Sequence, residues 1–191
     1  MLAAIERRLS LAERTIEVMP ILETAMGFAR LPELAARAAA LGGRVRRLAF
    51  GAGDYTLDLG LAWGRNERAL DAPRAAIVLH SRAAGLEPPL DTVWIELDDA
   101  EGYAASCARS AALGFQGRLC IHPDQVDVAN RAFTPSEAEL ARARRIVAAF
   151  AQAQAQGLAA IRVDGRFVDY PIVARAQRAL RLAALIARRD G

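Results

Sequence analysis

The chain has 191 residues, of which 53% are hydrophobic, and its formal net charge at pH 7 is +3. This length and apolar content predict one domain with a sizeable core, or one domain with a short appendage. The basic residues are spread along the chain without interleaved aromatics, which argues against a nucleic-acid partner. The apolar stretches are too short to cross a bilayer, so no membrane partner is expected either.

The cysteines indicate the redox environment of the protein, and the basic residues exclude two classes of enzyme. Cys107 and Cys120 form no CxxC pair; a disulfide between them stays open, but unclustered cysteines favour a reducing cytoplasm. All 25 basic residues are arginine, and the chain contains no lysine. Schiff-base aldolases and pyridoxal-phosphate enzymes need a lysine amine, so both are excluded for this chain acting alone. Carbon–carbon bond chemistry beside a carbonyl would then need a metal ion.

The first two thirds of the chain alternate between strand patterns and helix patterns. In chain order we predict a helix over 2–14, a strand over 16–22, a helix over 31–41, a strand over 47–50, a loop over 51–66, a helix over 68–84, a strand over 92–95, a helix over 101–113 and a strand over 119–121. This β/α alternation predicts a parallel sheet with helices outside it.

The pattern changes after residue 133. A helix over 134–156 is followed by a hairpin over 160–169, with Asp164 and Gly165 at its tip, and by a last helix over 171–189. We therefore predict two regions, an α/β region over 1–133 and a helical C-terminal appendage with a short hairpin over 134–191.

Two acidic residues stand where predicted strands end. Glu23 follows the first strand, and Asp54 follows the second strand after a short glycine-containing segment. The carboxyl ends of parallel strands share one face of a sheet, where α/β barrels hold their reacting groups. Two carboxylates facing one cavity suit Mg²⁺, which fills its other positions with water and substrate. The alternatives are a helix-terminal carboxylate for Glu23 and ordinary turn chemistry for Asp54.

Further candidates lie near the same strand ends. Gly51 and Ala52 are predicted to contact substrate, and Gly51, like Gly53, gives the backbone freedom beside the cavity. Glu96 lines the pocket or is an exposed loop acid. His122 contacts substrate or makes a structural hydrogen bond. Asp99 is interpreted as a helix cap.

Several ordered segments carry a resemblance to a known family. They are PILETAMG at 20–27, FGAGD at 50–54, DLG at 58–60, DDAEG at 98–102, GFQGRLCIHP at 114–123, AFTPS at 132–136 and DGRFVD at 164–169. With these segments the chain resembles the C-terminal part of the HpcH/HpaI aldolase and citrate lyase β-subunit family. The resemblance spans nearly the whole chain.

The resemblance implies a TIM (β/α)₈ barrel, a Mg²⁺ cofactor and a family trimer or hexamer. It implies cleavage of 3-hydroxyacyl-CoA thioesters, such as malyl-, citramalyl- or citryl-CoA, to acetyl-CoA and a 2-oxo acid. Glu23 and Asp54 match the family's metal ligands. Asp169 matches an acidic residue that can reach a neighbouring subunit's active site, and it is the candidate catalytic acid that protonates the enolate.

The chain departs from the family in length. A complete barrel takes roughly 250 residues, whereas this chain resembles only the C-terminal half of one, with about four parallel strands plus the appendage. We expect a fragment, a truncated paralogue, or a chain whose partner supplies the missing half-barrel. The alternatives to a lyase are a non-catalytic assembly module and a CoA thioesterase that uses the same metal site.

Overall fold

In the computed structural model, which describes residues 1–190, the chain divides into two units, Met1–Phe133 and Thr134–Gly191. The first unit contains, in order, α1 (Leu2–Arg8), β1 (Ile21–Leu22), α2 (Ala25–Ala29), α3 (Leu31–Ala40), β2 (Ala49–Phe50), α4 (Ala52–Leu59), a 3₁₀ turn (Arg68–Leu70), α5 (Asp71–Ala83), α6 (Ala100–Leu113) and α7 (Asp124–Phe133). The second contains α8 (Glu137–Ala155), β3 (Ile161–Val163), β4 (Arg166–Val168) and α9 (Tyr170–Asp190).

Parallel pairing in the first unit follows chain order. β1 and β2 pair in parallel, with Leu22 opposite Phe50. Single parallel bridges join Ala49 to Leu90 and Asp91 to Arg118. The α/β alternation is therefore confirmed, but the regular four-stranded sheet is not, since the third and fourth segments are held by isolated bridges. Closure into half of an eight-stranded barrel stays a prediction.

The predicted strand over 92–95 is wrong for a clear physical reason. Its backbone oxygens are taken by side chains instead of a neighbouring strand. Arg118 Nε donates to Thr92 O (2.7 Å), and Gln125 Nε2 donates to Trp94 O (2.9 Å). Buried carbonyls need a partner, and once side chains satisfy them the strand ladder has no reason to continue.

The predicted loop over 51–66 is also partly wrong, because it contains α4. Gly51 precedes this helix, and Gly60 ends it in the left-handed conformation (φ 65°), which glycine adopts without steric cost. Thr56 lies within the helix and donates its hydroxyl to Ala52 O (2.8 Å). Asp54 consequently lies in the first turn of a helix.

The first helix and the first strand are shorter than predicted. Helix α1 ends at Arg8, and Ser10 and Arg14 adopt positive φ angles of 53° and 68°. Its Glu6 side chain is 1% exposed, binds Arg44 (2.7 Å) and accepts from Ile16 N (2.9 Å). The hydrogen bond from Arg44, aided by the one from Ile16, lowers the pKa of Glu6 to about 2. This tether takes the Ile16 amide away from any strand ladder.

Helices α3 and α5 cover the sheet of the first unit. Their apolar faces bury Leu31, Ala35 and Ile77 in one core with Leu22 and Phe50. A second cluster contains Trp94, Tyr103, Cys107 and Ala129. Cys107 is buried, whereas Cys120 is exposed, and both are free thiols. The ends of β1 and β2 are therefore packed against α3 and α5.

In the second unit the predicted hairpin is confirmed. β3 and β4 pair antiparallel, and Asp164 (φ 49°) and Gly165 (φ 76°) form the turn that Asp-Gly favours. Ser136 and Glu139 form a capping box at the start of α8. The unit's core contains Ile146, Phe150, Val168 and Val173.

Within the described part of the chain, no helix combines the length and apolar character that crossing a bilayer requires.

Candidate functional site

Glu23 lies directly after β1, and its side chain crosses the backbone of Gly51. A methyl group added to Gly51 would lie 2.7 Å from Glu23 Oε2 and 2.9 Å from Glu23 Cβ. The Gly51 amide donates to Leu22 O (2.9 Å), which brings the end of β1 against the segment after β2. The absence of a side chain at Gly51 therefore leaves the space that the Glu23 carboxyl group occupies.

Asp54 is reached from the same segment. Phe50 ends β2, Gly51 precedes α4, and Asp54 is in the first turn of that helix with its side chain exposed. Since Leu22 and Phe50 are register partners, Glu23 and Asp54 both follow the carboxyl ends of paired parallel strands. The structure thus brings Glu23, Gly51, Ala52 and Asp54 to one edge of the sheet.

The two short helices at this edge are fixed to each other. Asp58 of α4 accepts from the Ala25 amide at the start of α2 (2.7 Å), and Thr24 caps α2 by accepting from Gly27 N (3.0 Å). The rings of Phe28 and Tyr55 pack edge to face at 4.9 Å between centroids. These contacts stabilise the backbone on either side of both carboxylates.

The chemistry of this pair fits Mg²⁺. Among the described residues, the side-chain carboxylates of Glu23 and Asp54 have no hydrogen bond or ion pair. The same part of the chain contains no group of three or more histidine, cysteine or acidic residues suited to holding a metal ion. Mg²⁺ is commonly held by one or two protein carboxylates with water and substrate oxygens. A pair of unengaged carboxylates at the strand ends has the composition of such a site.

Behind the strand ends lies a buried charged cluster, which we define as Glu67, Arg74, Asp91 and Arg118. Arg74 binds Glu67 (2.8 Å) and Asp91 (3.0 Å), and Arg118 lies 3.4 Å from Glu67. Burial alone would raise the pKa of Glu67, but hydrogen bonds from Arg74 and Ser106 and the nearby arginine charges hold it below its usual value. Each member of the cluster therefore has a partner of opposite sign, as buried ionisable groups require.

Two hydrogen bonds through Thr92 connect this cluster to the segment after β2. Arg118 donates to Thr92 O, and Thr92 Oγ1 accepts from the Ala52 amide at 2.8 Å. Arg118 also lies over the rings of Trp94 and Tyr103, at 5.9 and 5.4 Å. Burial, with a hydrogen bond to Cys120, raises the pKa of Tyr103 above its usual value. That ring therefore stays neutral beneath the arginine.

Glu96 and Trp63 lie in loops of the first unit. A methyl group on Gly53 would lie 3.3 Å from Cζ3 of Trp63, so this indole packs against the first turn of α4. Glu96 is half-buried, and its backbone oxygen accepts from Trp94 Nε1 (2.9 Å). Its carboxylate lies near Gly64, where an added methyl group would be 3.9 Å from Oε1. The pocket-lining role of Glu96 stays a prediction.

His122 and Asp169 have local structural partners. His122 is exposed, and its Nδ1 accepts from the Asp124 amide (3.3 Å) at the start of α7. Asp169 belongs to the second unit and accepts from Ile172 N (3.4 Å) in the first turn of α9. Asp99 caps α6 by accepting from Gly102 N (2.9 Å), as predicted. The roles predicted for His122 and Asp169 stay predictions.

The sequence interpretation missed Thr92 and Asp58. Thr92 was one polar residue at the start of a predicted strand, and no local pattern indicates that its hydroxyl faces residue 52. Asp58 lies in the DLG segment of the family resemblance. That segment indicated that the residue matters, but it did not indicate which group Asp58 contacts. Both residues act through hydrogen bonds to backbone amides far along the chain, at separations of 40 and 33 residues.

Comparison with known proteins places this geometry in a family. The model of the HpcH/HpaI aldolase/citrate lyase family matches residues 1–123. L-malyl-CoA/beta-methylmalyl-CoA lyase of Rhodobacter capsulatus is 34% identical over 91% of this chain and 58% of its own length. (3S)-malyl-CoA thioesterase of Cereibacter sphaeroides is 34% identical over 87% of this chain and 56% of its own length.

A solved structure agrees in fold. CitE from Mycobacterium tuberculosis, crystallised with magnesium, acetoacetate and coenzyme A, has a TM-score of 0.72 and 31% identity, covering 88% of this chain and 61% of that one. The chain thus spans little more than half the length of the curated relatives it matches. Because the family model covers most of the first unit and the fold agrees, the chain belongs to the HpcH/HpaI aldolase/citrate lyase family.

Proposed function

We propose that this chain carries the metal site of a Mg²⁺-dependent carbon–carbon lyase acting on 3-hydroxyacyl-CoA thioesters. The observation that carries the proposal is the pair Glu23 and Asp54, which follows two paired parallel strands with both carboxylates unengaged. Crystallisation of a related CitE with magnesium and coenzyme A supports both the ion and the class of substrate.

In this proposal the protein side chains bind and orient the reacting groups. Glu23 and Asp54 hold the Mg²⁺ ion, and the glycine at position 51 keeps the Glu23 carboxylate in place. When bound, the ion would supply a Lewis acid for the substrate hydroxyl oxygen that becomes the carbonyl of the 2-oxo acid. Gly51 and Ala52 border the substrate, and Glu96 and His122 contact its more distant parts.

The bond that breaks joins C2 and C3 of a malyl-CoA-type substrate. A base removes the hydroxyl proton, the bond electrons pass to the thioester enolate, and an acid then protonates the enolate carbon to give acetyl-CoA. Asp169 is proposed as this acid, acting at the active site of a neighbouring subunit. Turnover of an Asp169→Asn variant at the wild-type rate would remove that role.

A complete barrel needs more polypeptide than these 191 residues. The sheet of the first unit has four short parallel segments, whereas a complete barrel has eight strands. We propose that the remaining barrel comes from a companion chain or from more of the same polypeptide, within a homo-oligomer or a mixed assembly in the cytoplasm. Which acyl group is cleaved depends on residues of that remaining part.

A thioesterase is the second candidate, since a (3S)-malyl-CoA thioesterase is as similar to this chain as the lyase is. Water would then attack the thioester carbonyl, releasing free CoA and the acid without breaking a carbon–carbon bond. A non-catalytic assembly module is the third candidate, favoured by the chain's partial coverage of its relatives.

The test begins with the metal. Isothermal titration with MgCl₂ is run on the wild-type chain, on Glu23→Gln, on Asp54→Asn and on Asp127→Asn, an exposed acid of α7 that serves as the control. We expect both site variants to weaken Mg²⁺ binding at least tenfold, because each removes an anionic ligand. The control is expected to bind like wild type. Equal binding by all four proteins would refute the metal site.

Product analysis then separates the candidate reactions. The chain is assayed with malyl-, citramalyl- and citryl-CoA, and products are identified by mass spectrometry. Acetyl-CoA with a 2-oxo acid supports the lyase, whereas free CoA with the intact hydroxy acid supports the thioesterase. Mg²⁺ binding without either product supports an assembly module or a site that needs its companion chain.

A further inference from the structure

We propose that Thr92 is a positioning residue: its hydroxyl fixes the start of α4 and thereby sets where Asp54 holds the metal. This inference rests on the proposed metal site and names a residue that positions one of its ligands without contacting the metal. It concerns the bond from the Ala52 amide to Thr92 Oγ1, which is 2.8 Å long and joins residues 40 positions apart.

The start of α4 lacks a cap of its own. The first amides of a helix have no partner within that helix, and a side-chain oxygen usually supplies one. Here the N-cap residue is Gly51, which has no side chain and makes no capping bond. Thr92, from a distant part of the chain, gives the Ala52 amide its acceptor instead.

The strand register explains why a side chain has this task. The Phe50 amide donates to Leu90 O (2.9 Å), so a continuing parallel ladder would direct the Ala52 amide to Thr92 O. That oxygen already accepts from Arg118 Nε (2.7 Å). The Thr92 hydroxyl replaces the occupied carbonyl, and the chain turns into α4 at that point.

The hydrogen bond between Ala52 and Thr92 is buried, and Arg118 holds Thr92 in place. Ala52 is 0% exposed and Thr92 is 1% exposed, and a buried amide without a partner costs about 1–3 kcal/mol. Arg118 is itself fixed, since it donates to Ser106 Oγ (2.6 Å) and lies 3.4 Å from Glu67. A continuous series of contacts therefore runs from the buried charged cluster through Thr92 to Ala52, two residues before Asp54.

Valine has nearly the shape of threonine but no hydroxyl, whereas serine keeps the hydroxyl and loses a methyl group. In Thr92→Val the Ala52 amide is left unpaired, so the first turn of α4 can shift and carry Asp54 with it. Groups that orient metal ligands typically change metal affinity by about 10- to 100-fold when they are removed. We expect at least a tenfold loss of Mg²⁺ affinity in Thr92→Val and wild-type affinity within about twofold in Thr92→Ser.

The experiment titrates MgCl₂ into wild type, Thr92→Val, Thr92→Ser, Ser81→Ala and Asp54→Asn. Ser81 is the matched control, because its buried hydroxyl has no hydrogen-bond partner in the described part of the chain. Hydrogen exchange of the Ala52 amide is measured by NMR without metal. We expect the exchange rate to rise at least tenfold in Thr92→Val and to stay at the wild-type value in Thr92→Ser and Ser81→Ala. Thermal unfolding establishes that each variant is folded.

The outcomes separate this inference from the proposed function. Weak Mg²⁺ binding by Asp54→Asn and Thr92→Val, with rescue in Thr92→Ser, supports both. If Asp54→Asn loses binding while Thr92→Val keeps it, the metal site stands and the inference about Thr92 is overturned. If Asp54→Asn binds like wild type, the proposed metal site is overturned, and the inference with it. A Thr92→Ser variant as weak as Thr92→Val also overturns the inference, because the hydroxyl would not be what matters.

Discussion

At the scale of single residues, the site depends on what is absent at position 51. A glycine there lets one carboxylate lie across the backbone that leads to the other. Gly51 has ordinary angles (φ −110°, ψ 99°), so its value lies in lacking a side chain and not in a special backbone conformation.

The change Gly51→Ala tests this requirement. The new methyl carbon would lie 2.7 Å from Glu23 Oε2 and 2.9 Å from Ile21 Cγ2, and both distances are shorter than a Cβ atom normally keeps from its neighbours. We expect the Glu23 carboxylate to move and Mg²⁺ affinity to fall about tenfold or more, as when a supporting group is lost. The free energy of unfolding is expected to fall by about 1–3 kcal/mol from overpacking. Calorimetric titration and urea unfolding measure the two effects.

Gly64→Ala is the matched control for that change. The nearest atom to a methyl group there is Glu96 Oε1 at 3.9 Å, an ordinary contact distance. We expect wild-type Mg²⁺ affinity in this variant. If Gly51→Ala also binds like wild type, the position of Glu23 does not depend on the space above Gly51.

At the scale of elements, the sequence predicted what local patterns determine and missed what distant contacts determine. The helices α3 and α6 and the hairpin β3–β4 follow from periodicity, glycine stops and an Asp-Gly turn, all of which are local. The failure over 92–95 has its cause elsewhere, since Arg118 and Gln125 take the carbonyls that a strand would use. The position of Glu23 and Asp54 after two paired strands could be predicted, because strand ends and acidic residues are visible in sequence. Thr92 could not, because its task arises only when distant segments meet.

The buried charged cluster holds α5 and α6 against the third and fourth sheet segments. Arg74 is 0% exposed and binds both Glu67 and Asp91. In Arg74→Met these two carboxylates keep hydrogen bonds from Ser106 and Ser110. The one cation that stays beside them among the described residues is the more distant Arg118, at 3.4 and 3.9 Å. Removing one partner of a buried ion pair costs about 3–5 kcal/mol, and we expect a loss of that size in the free energy of unfolding.

Urea unfolding followed by tryptophan fluorescence measures this loss. Both tryptophans, Trp63 and Trp94, lie in the first unit, so the signal reports the part that contains the cluster. The control is Arg109→Met, whose exposed pair with Asp71 has a 3.8 Å separation and is expected to contribute less than about 1 kcal/mol. Equal losses in the two variants would contradict a structural role for the cluster.

At the scale of the whole molecule, the sheet of the first unit has an open edge. β1 pairs with β2 on one side, and no other strand of the described residues pairs with it. Beside this edge, Ile21 is 48% exposed and Met26 is 62% exposed. An unpaired strand edge flanked by apolar side chains favours association with further protein.

We therefore expect the purified chain to have a solution mass above the 20.5 kDa of one copy. Ile21→Lys should lower the associated fraction, because a charge on an edge strand opposes strand addition. Leu79→Lys, at a 62% exposed position on α5, is the control and should leave the mass unchanged. Size-exclusion chromatography with light scattering over a concentration series measures all three proteins. A 20.5 kDa mass for wild type at every concentration would contradict this expectation, because the edge of β1 would then stay free in solution. In that case Glu23 and Asp54 would have to bind Mg²⁺ from a single, open sheet.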